Sequence, residues 1–188
     1  LGSLQSMEAI VNETLSPLVI GSDPTMIESL WNRMYLNTAR YGRRGIVVAA
    51  MSAIDIALWD ILGKVSKLPV YRLLGGAQTQ LTPYARAGYY MEGKGIAELQ
   101  DECLSYVDMG FNAIKMKVGG APLREDIKRV EAVRSAIGAD VALGIDANNA
   151  WDYATALAMA KVCENEDVMF FEEPMSTDFI ADCVRLAG

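Results

Sequence analysis

Ala113-Ile114-Lys115-Met116-Lys117-Val118-Gly119-Gly120 is a short β-type run that turns basic toward its end and stops at two glycines. The same form returns twice: Val141 to Asp146 is apolar until its last residue and leads into Ala147-Asn148-Asn149, and Val168 to Glu172 ends in Glu172-Glu173-Pro174. Lys117, Asp146 and Glu172 are 29 and 26 residues apart, the size of one βα unit. The intervals read as amphipathic helices. Leu123 to Ile137 ends at Gly138, and Tyr153 to Glu164 follows Asp152 as an N-cap. Working outward, Thr82 to Gly88 is a further strand, Ile96 to Met109 a helix ending at Gly110, and another helix starts near Asp178. Strands alternating with helices of about a dozen residues predict βαβ units and a parallel sheet.

Two architectures accept such units. A dinucleotide-binding sheet should show G-x-G-x-x-G after its first strand, but Gly88 is followed by Tyr89-Tyr90-Met91, so a barrel is favoured. A barrel needs about eight strands and roughly 250 residues. Residues 81–188, with four strands, therefore read as the first half of a (βα) barrel domain, and the apolar Val168-Met169-Phe170-Phe171 calls for a further strand beside it. Upstream the pattern is helical: Met7 to Leu15, Thr25 to Leu36 after Asp23-Pro24, and Ile46 to Lys64, with Gly75-Gly76 as the stop. The boundary falls between residues 75 and 81. The fold class is α/β, part of a TIM-type barrel preceded by a helical unit over residues 1–80.

The composition narrows the function. Of 188 residues, 52% are hydrophobic, enough for a sizeable core, and 17 Lys+Arg against 24 Asp+Glu give a net charge of −7, which argues against nucleic acid. The longest nearly apolar stretch, Ile46 to Ile54, is broken by Ser52 and closed by Asp55, so no membrane span is expected. Cys103, Cys163 and Cys183 form no C-x-x-C pair, which fits a reducing, cytoplasmic setting. With no histidine in the sequence, acid–base chemistry falls to Lys, Asp, Glu or Tyr.

In a parallel barrel the reactive groups sit at the C-terminal strand ends. Lys115 and Lys117, two residues apart on one strand, point to the same face. In a barrel interior each ammonium would lower the pKa of the other, giving a base near neutral pH; on a half-exposed strand they are two solvated lysines. Asp146 and Glu172 are hard oxygen donors suited to Mg²⁺ or Mn²⁺, and Asn148 shares the face of Asp146. Singly, Asp146 and Glu172 each read more readily as a helix cap or loop charge. On three successive strand ends they place a basic pair beside a metal site.

The order Lys-x-Lys, Asp-x-Asn, Glu-Glu-Pro, one βα unit apart, resembles the mandelate racemase and muconate lactonising enzyme group of the enolase superfamily. So does the upstream run from Tyr41-Gly42-Arg43-Arg44-Gly45 through Ser52-Ala53-Ile54-Asp55-Ile56-Ala57-Leu58-Trp59-Asp60 to Leu73-Leu74-Gly75-Gly76, which is similar to the helical part of that group's α+β capping domain. The resemblance implies a magnesium enzyme that removes the proton next to a substrate carboxylate and stabilises the enediolate. By the group's pattern Lys117 is the base, Lys115 its electrostatic partner near the carboxylate, Asp146 and Glu172 are metal ligands, and Asn148 lies beside the metal or substrate. Glu173 is expected to point to the other face. Tyr41 and Arg43 are candidates to reach the substrate, with helix packing or surface roles equally open.

The group's third metal ligand and second acid or base fall beyond Gly188, and its capping-domain sheet precedes Leu1, so a longer parent protein is expected and this chain alone should be inactive. The motifs after β-type runs are most similar to members acting on acid sugars and hydroxydicarboxylates, which implies a dehydratase, with racemase, epimerase or lactonising chemistry as the alternative. The implied partner is a small carboxylate substrate, with a homo-oligomer expected. A second class of function is a noncatalytic barrel module that kept the framework, although the presence of Lys115, Lys117, Asp146 and Glu172 argues against it.

Overall fold

The computed structural model describes residues 3–188, which divide into two compact units, one ending at Gln80 and the other running from Leu81 to Gly188. In the first unit, Leu4–Ala9 (α1), a wider π-type stretch Ile10–Leu15 and Ser16–Val19 (α2) run on as one helical segment. The wide turn has a local cause: Pro17 has no N–H to donate and its ring crowds the carbonyl one α-turn back, while the Ser16 N–H reaches Val11 O instead. Ile27–Thr38 (α3) and Ile46–Ser66 (α4) follow, then Val70–Leu73 (α5). Leu15, Met34, Val47, Ala50 and Met51 form one buried cluster, and Ile27, Leu30 and Leu58 another.

Three sequence expectations are corrected in this unit. Asp23 does not cap α3; its carboxylate accepts from the Thr25 N–H at 2.9 Å and the Thr25 hydroxyl at 2.7 Å, closing a turn just before the helix begins at Ile27. Gly75-Gly76 does not stop the long helix. It ends at Ser66 because Lys67 turns left-handed (φ 55°) and Leu68 N–H donates back to Gly63 O at 3.0 Å, with Pro69 next in line. Finally, α4 is 21 residues long and, at a mean hydropathy of 1.9, long and apolar enough to cross a membrane. It nevertheless buries Val47, Ala50, Met51 and Leu58 in this unit and carries Asp55, Asp60 and Lys64 along its length.

In the second unit four parallel strands, Ala85–Ala87 (β1), Ala113–Lys117 (β2), Ala142–Asp146 (β3) and Val168–Glu172 (β4), lie in the order β1-β2-β3-β4. Helices Ile96–Asp108 (α6), Leu123–Ile137 (α7) and Tyr153–Asn165 (α8) make the crossovers, and Ile180–Ala187 (α9) follows β4. Strand order never reverses, so there is no switch point of the doubly wound kind, and a strictly sequential sheet is what a barrel requires. Asp152 caps α8 as its sequence suggests, accepting from Thr155 N–H at 2.8 Å.

One strand face carries Ile114, Met116, Leu143 and Ile145, all fully buried against Leu99, Cys103, Val130, Val133 and Met159 from the helices. Each such side chain contributes about 1.5–3 kcal/mol. The opposite face carries Lys115, Lys117, Gly144, Asp146, Phe170 and Glu172. Pairing of β3 with β4 slips at Leu143/Gly144, after which Gly144 faces Phe170 and Asp146 faces Glu172. A Cβ at Gly144 would lie 2.3 Å from Phe170 Cζ. Gly144→Ala in the whole protein should therefore cost about 1–3 kcal/mol of stability by overpacking. Thermal unfolding measures it, and an unchanged midpoint would mean that the ring is free to move aside.

β1 is shorter than the expected Thr82 to Gly88. Pro83 offers no N–H to the ladder, and Gly88 turns left-handed at φ 74°, which ends the strand at Ala87.

Candidate active site

Alternation within each strand and the common direction of the parallel strands bring the predicted polar residues to one face at one end of the sheet. Lys117 pairs with Asp146 across β2 and β3, and Asp146 with Glu172 across β3 and β4. Lys115 Nζ bridges the two carboxylates, 3.0 Å from Asp146 Oδ2 and 2.9 Å from Glu172 Oε2. Lys117 Nζ is 2.7 Å from the same Asp146 oxygen and donates to Asn148 Oδ1, also at 2.7 Å. Asp146 Oδ1 accepts the Asn148 N–H at 3.0 Å, so this carboxylate is saturated with donors while its side chain is only 2% exposed. All five residues singled out from the sequence, Lys115, Lys117, Asp146, Asn148 and Glu172, are in one hydrogen-bonded cluster.

At Lys115 the electrostatics differ from the expected lowering by a like-charged neighbour. Burial disfavours the Lys115 ammonium, but the hydrogen bonds and charges of Glu172 and Asp146 outweigh it, and its pKa is raised above the ordinary lysine value. The sequence reading counted the like charge two residues away; the structure adds two carboxylates from neighbouring strands. Lys115 is thereby fixed as a cation, which suits holding an anionic group. Burial likewise works against the Asp146 carboxylate, yet donation from Lys117, Lys115 and the Asn148 N–H keeps its pKa below normal.

Glu173 is also corrected. It lies past the end of β4 with a left-handed backbone (φ 45°), so strand alternation no longer directs it. Its carboxylate accepts from Asn148 Nδ2 at 3.3 Å and Asn149 Nδ2 at 3.1 Å, which puts it one hydrogen bond from Lys117 rather than on the far side of the sheet. The donors it meets are neutral amides, whereas Glu172 meets an ammonium.

Two contacts escaped the sequence reading. Lys115 Nζ is 5.6 Å from the Tyr84 ring centre and Lys117 Nζ is 5.9 Å from that of Tyr89. Tyr89 follows the left-handed Gly88 directly, so the signal was a glycine-aromatic pair at a strand end. Tyr89, Lys117, Gly119, Gly120 and Asn148 line a cavity of about 330 Å³. Tyr41 and Arg43 line a polar hollow of the first unit with Arg40 and Arg44.

Asp146 and Glu172 supply two hard anionic oxygens on adjacent strand ends, and this donor set fits part of a Mg²⁺ site. An ammonium already sits where the two negative charges converge, evidence that the pair draws a cation to that point. Among the described residues no group of three or more Asp, Glu, Cys or His that could hold a metal ion forms.

Comparison with known proteins agrees along the whole chain. The family model described as enolase C-terminal domain-like matches residues 98–188, and that described as mandelate racemase / muconate lactonizing enzyme, N-terminal domain, matches residues 1–75. Arabinonate dehydratase of Saccharolobus solfataricus is 43% identical over 99% of this chain and 50% of its own length. The crystal structure of 3,6-anhydro-D-galactonate cycloisomerase from Zobellia galactanivorans superposes with a TM-score of 0.89 at 38% identity, covering 100% of this chain and 52% of that one. A racemase from Streptomyces coelicolor A3(2) with bound magnesium gives a TM-score of 0.86 at 32% identity, covering 98% and 51%. The chain spans about half the length of the relatives it matches.

Proposed function

Because this chain belongs to the mandelate racemase and muconate lactonizing enzyme family of the enolase superfamily, we propose that it carries the proton-abstracting half of a Mg²⁺-dependent enzyme acting on a small sugar-acid carboxylate. The four strands are part of a TIM-type barrel, and in this proposal residues 81–188 are its first half and residues 1–80 the helical part of the capping domain. The observation that carries the reading is the placing of Lys117 Nζ, 2.7 Å from Asp146 Oδ2 and within the cavity that Tyr89 and Asn148 also line. Lys117 takes the α-proton. Lys115, held cationic by its two carboxylates, faces the substrate carboxylate as its charge grows toward the enediolate. Asn148, with its amide oxygen on Lys117 and its backbone in the left-handed region at φ 46°, orients the base.

Asp146 and Glu172 would hold the metal, and Mg²⁺ bound there supplies Lewis-acid stabilisation of the enediolate charge; Mn²⁺ suits the same oxygens. Asp146 also accepts hydrogen bonds from both lysines, so any change in its negative charge is felt at Lys117. Loss of a β-hydroxyl from the enediolate gives net dehydration, the reading favoured by the arabinonate dehydratase relative. A racemase or cycloisomerase outcome starts from the same first step and is favoured by the two structural relatives.

The test is to incubate the whole protein with Mg²⁺ and a set of pentonates and hexonates in D₂O, following deuterium at carbon 2 and formation of the 2-keto-3-deoxy product. Formation of the 2-keto-3-deoxy product with solvent deuterium at carbon 3 identifies the dehydratase, and deuterium at carbon 2 with inversion identifies the racemase. The absence of both product and exchange with every sugar acid would overturn the reading.

A further inference from the structure

Behind the site, on its helix side, lies a cluster that the proposed chemistry does not use. Asp126 is 0% exposed, a charged residue wholly inside the protein. Its Oδ2 accepts from the Gly119 N–H at 2.8 Å and its Oδ1 accepts from the Tyr90 hydroxyl. Arg129, one turn further along α7, is its counter-charge, with Nε 3.7 Å from Oδ1. The guanidinium carbon lies over the Tyr90 ring, 3.9 Å from its centre, and a Cβ at Gly120 would meet that ring at 2.5 Å, so the glycine makes room for the ring. Arg129 Nη2 then donates to two backbone carbonyls, Gly88 O at 2.6 Å and Lys117 O at 3.3 Å.

These bonds converge on one short piece of backbone. The Lys117 carbonyl is held by Arg129, the Val118 N–H by Asp146 O at 3.0 Å, and the Gly119 N–H by Asp126. The other end of the clamp fixes Gly88, whose N–H also donates to Glu102 Oε2 at 2.9 Å while Glu102 is ion-paired with Lys94 at 2.7 Å. At φ 74° Gly88 takes a conformation that disfavours other residues, and it swings Tyr89 toward the Lys117 ammonium.

We propose that Arg129 is a positioning residue for Lys117: its guanidinium ties the carbonyl of the base to the end of β1 and so sets where the lysine and the flanking Tyr89 stand relative to the substrate. This rests on Lys117 being the base, as proposed above. A partly buried arginine could serve stability alone, and α7 carries a second one, away from Lys117, for comparison. Arg134 donates to Gly138 O, Val141 O, Glu166 O and Asp167 O at 2.7 to 3.0 Å, all at the N-terminal strand ends, away from the reactive face. The same helix thus has one arginine clamp at each end of the sheet, and only Arg129 touches the backbone of the base.

The experiment compares Arg129→Lys with Arg134→Lys in the whole protein, with Tyr90→Phe as a milder second variant and Lys117→Ala as the reference. Lysine keeps the charge for Asp126 but cannot bridge two carbonyls as the fork does. Arg129→Lys is expected to lower kcat for α-proton exchange by at least about tenfold, since a displacement of about 1 Å can cost about 10², with KM little changed. Amide hydrogen exchange at Val118 and Gly119 should speed up. Tyr90→Phe should move kcat in the same direction by less, and Arg134→Lys should lower the unfolding temperature and leave kcat unchanged. Unchanged kcat in Arg129→Lys, or a loss that Arg134→Lys matches, would overturn the positioning role while an inactive Lys117→Ala left the base assignment standing. Full exchange in Lys117→Ala would overturn the base assignment and this inference with it.

Discussion

Replacing Lys117 by Met or Ala in the whole protein should reduce turnover by about 10² or more while binding of the carboxylate substrate is largely kept. A general base contributes only as the proton moves, so its loss appears in kcat. Lys115, proposed to face the substrate carboxylate, keeps its own contacts to Asp146 and Glu172 without Lys117. Met fills nearly the volume of the lysine stem beside Tyr89 and leaves the strand packing alone. Loss of the α-hydrogen, followed as exchange in recovered substrate together with product formation, is the sensitive measurement because it reports the first step. Undiminished exchange in the variant would show that Lys117 is a structural lysine and that the base lies elsewhere.

The second large effect concerns the acidic pair. Asp146→Asn or Glu172→Gln should weaken Mg²⁺ binding by more than the roughly 10- to 100-fold that loss of an outer-shell partner costs, because each removes a charged oxygen from the site itself. Asp146→Asn should do further harm, since that carboxylate accepts from both lysines: Lys115 loses one of the two counter-charges that raise its pKa, which should fall back toward the ordinary lysine value. Glu173→Gln is the comparison. Its partners are the Asn148 and Asn149 amides, which a Gln oxygen can still accept from, so Mg²⁺ binding should change far less. Calorimetric titration of the three variants separates the outcomes, and equal losses for Glu172 and Glu173 would reverse the choice between them.

How much of this was legible varies with the range of the interaction responsible. The end of β4 was read correctly because Val168 to Glu172 is a short apolar run closed by a charge, and its alternation is a local property. The end of α4 was read to within two residues, but its stop signal was misread: the stop comes from the Leu68 to Gly63 hydrogen bond and the left-handed Lys67, neither of which the glycine pair downstream announces. Glu173 was misplaced for a related reason, since a single left-handed residue at a strand end cancels the two-residue period on which the expectation rested. Arg129 left no signal at all. In sequence it is one more basic residue of an amphipathic helix, and the carbonyl it holds at Gly88 is 41 residues away.

By itself the sequence determined that Lys115, Lys117, Asp146, Asn148 and Glu172 would share one face at one end of a parallel sheet. Side-chain direction in a strand follows from counting by twos, and each βα unit returns the chain to the same end, so residue identity and spacing suffice. Only the tertiary structure decided which charge meets which: that Lys115 bridges Asp146 and Glu172 and is held cationic, that Lys117 shares Asp146 with it, and that Arg129 donates to the Lys117 carbonyl from behind. Those pairings depend on inter-strand register, including the slip at Leu143/Gly144, and on how α7 docks on the sheet. Both are set by packing between segments tens of residues apart, which no local pattern encodes.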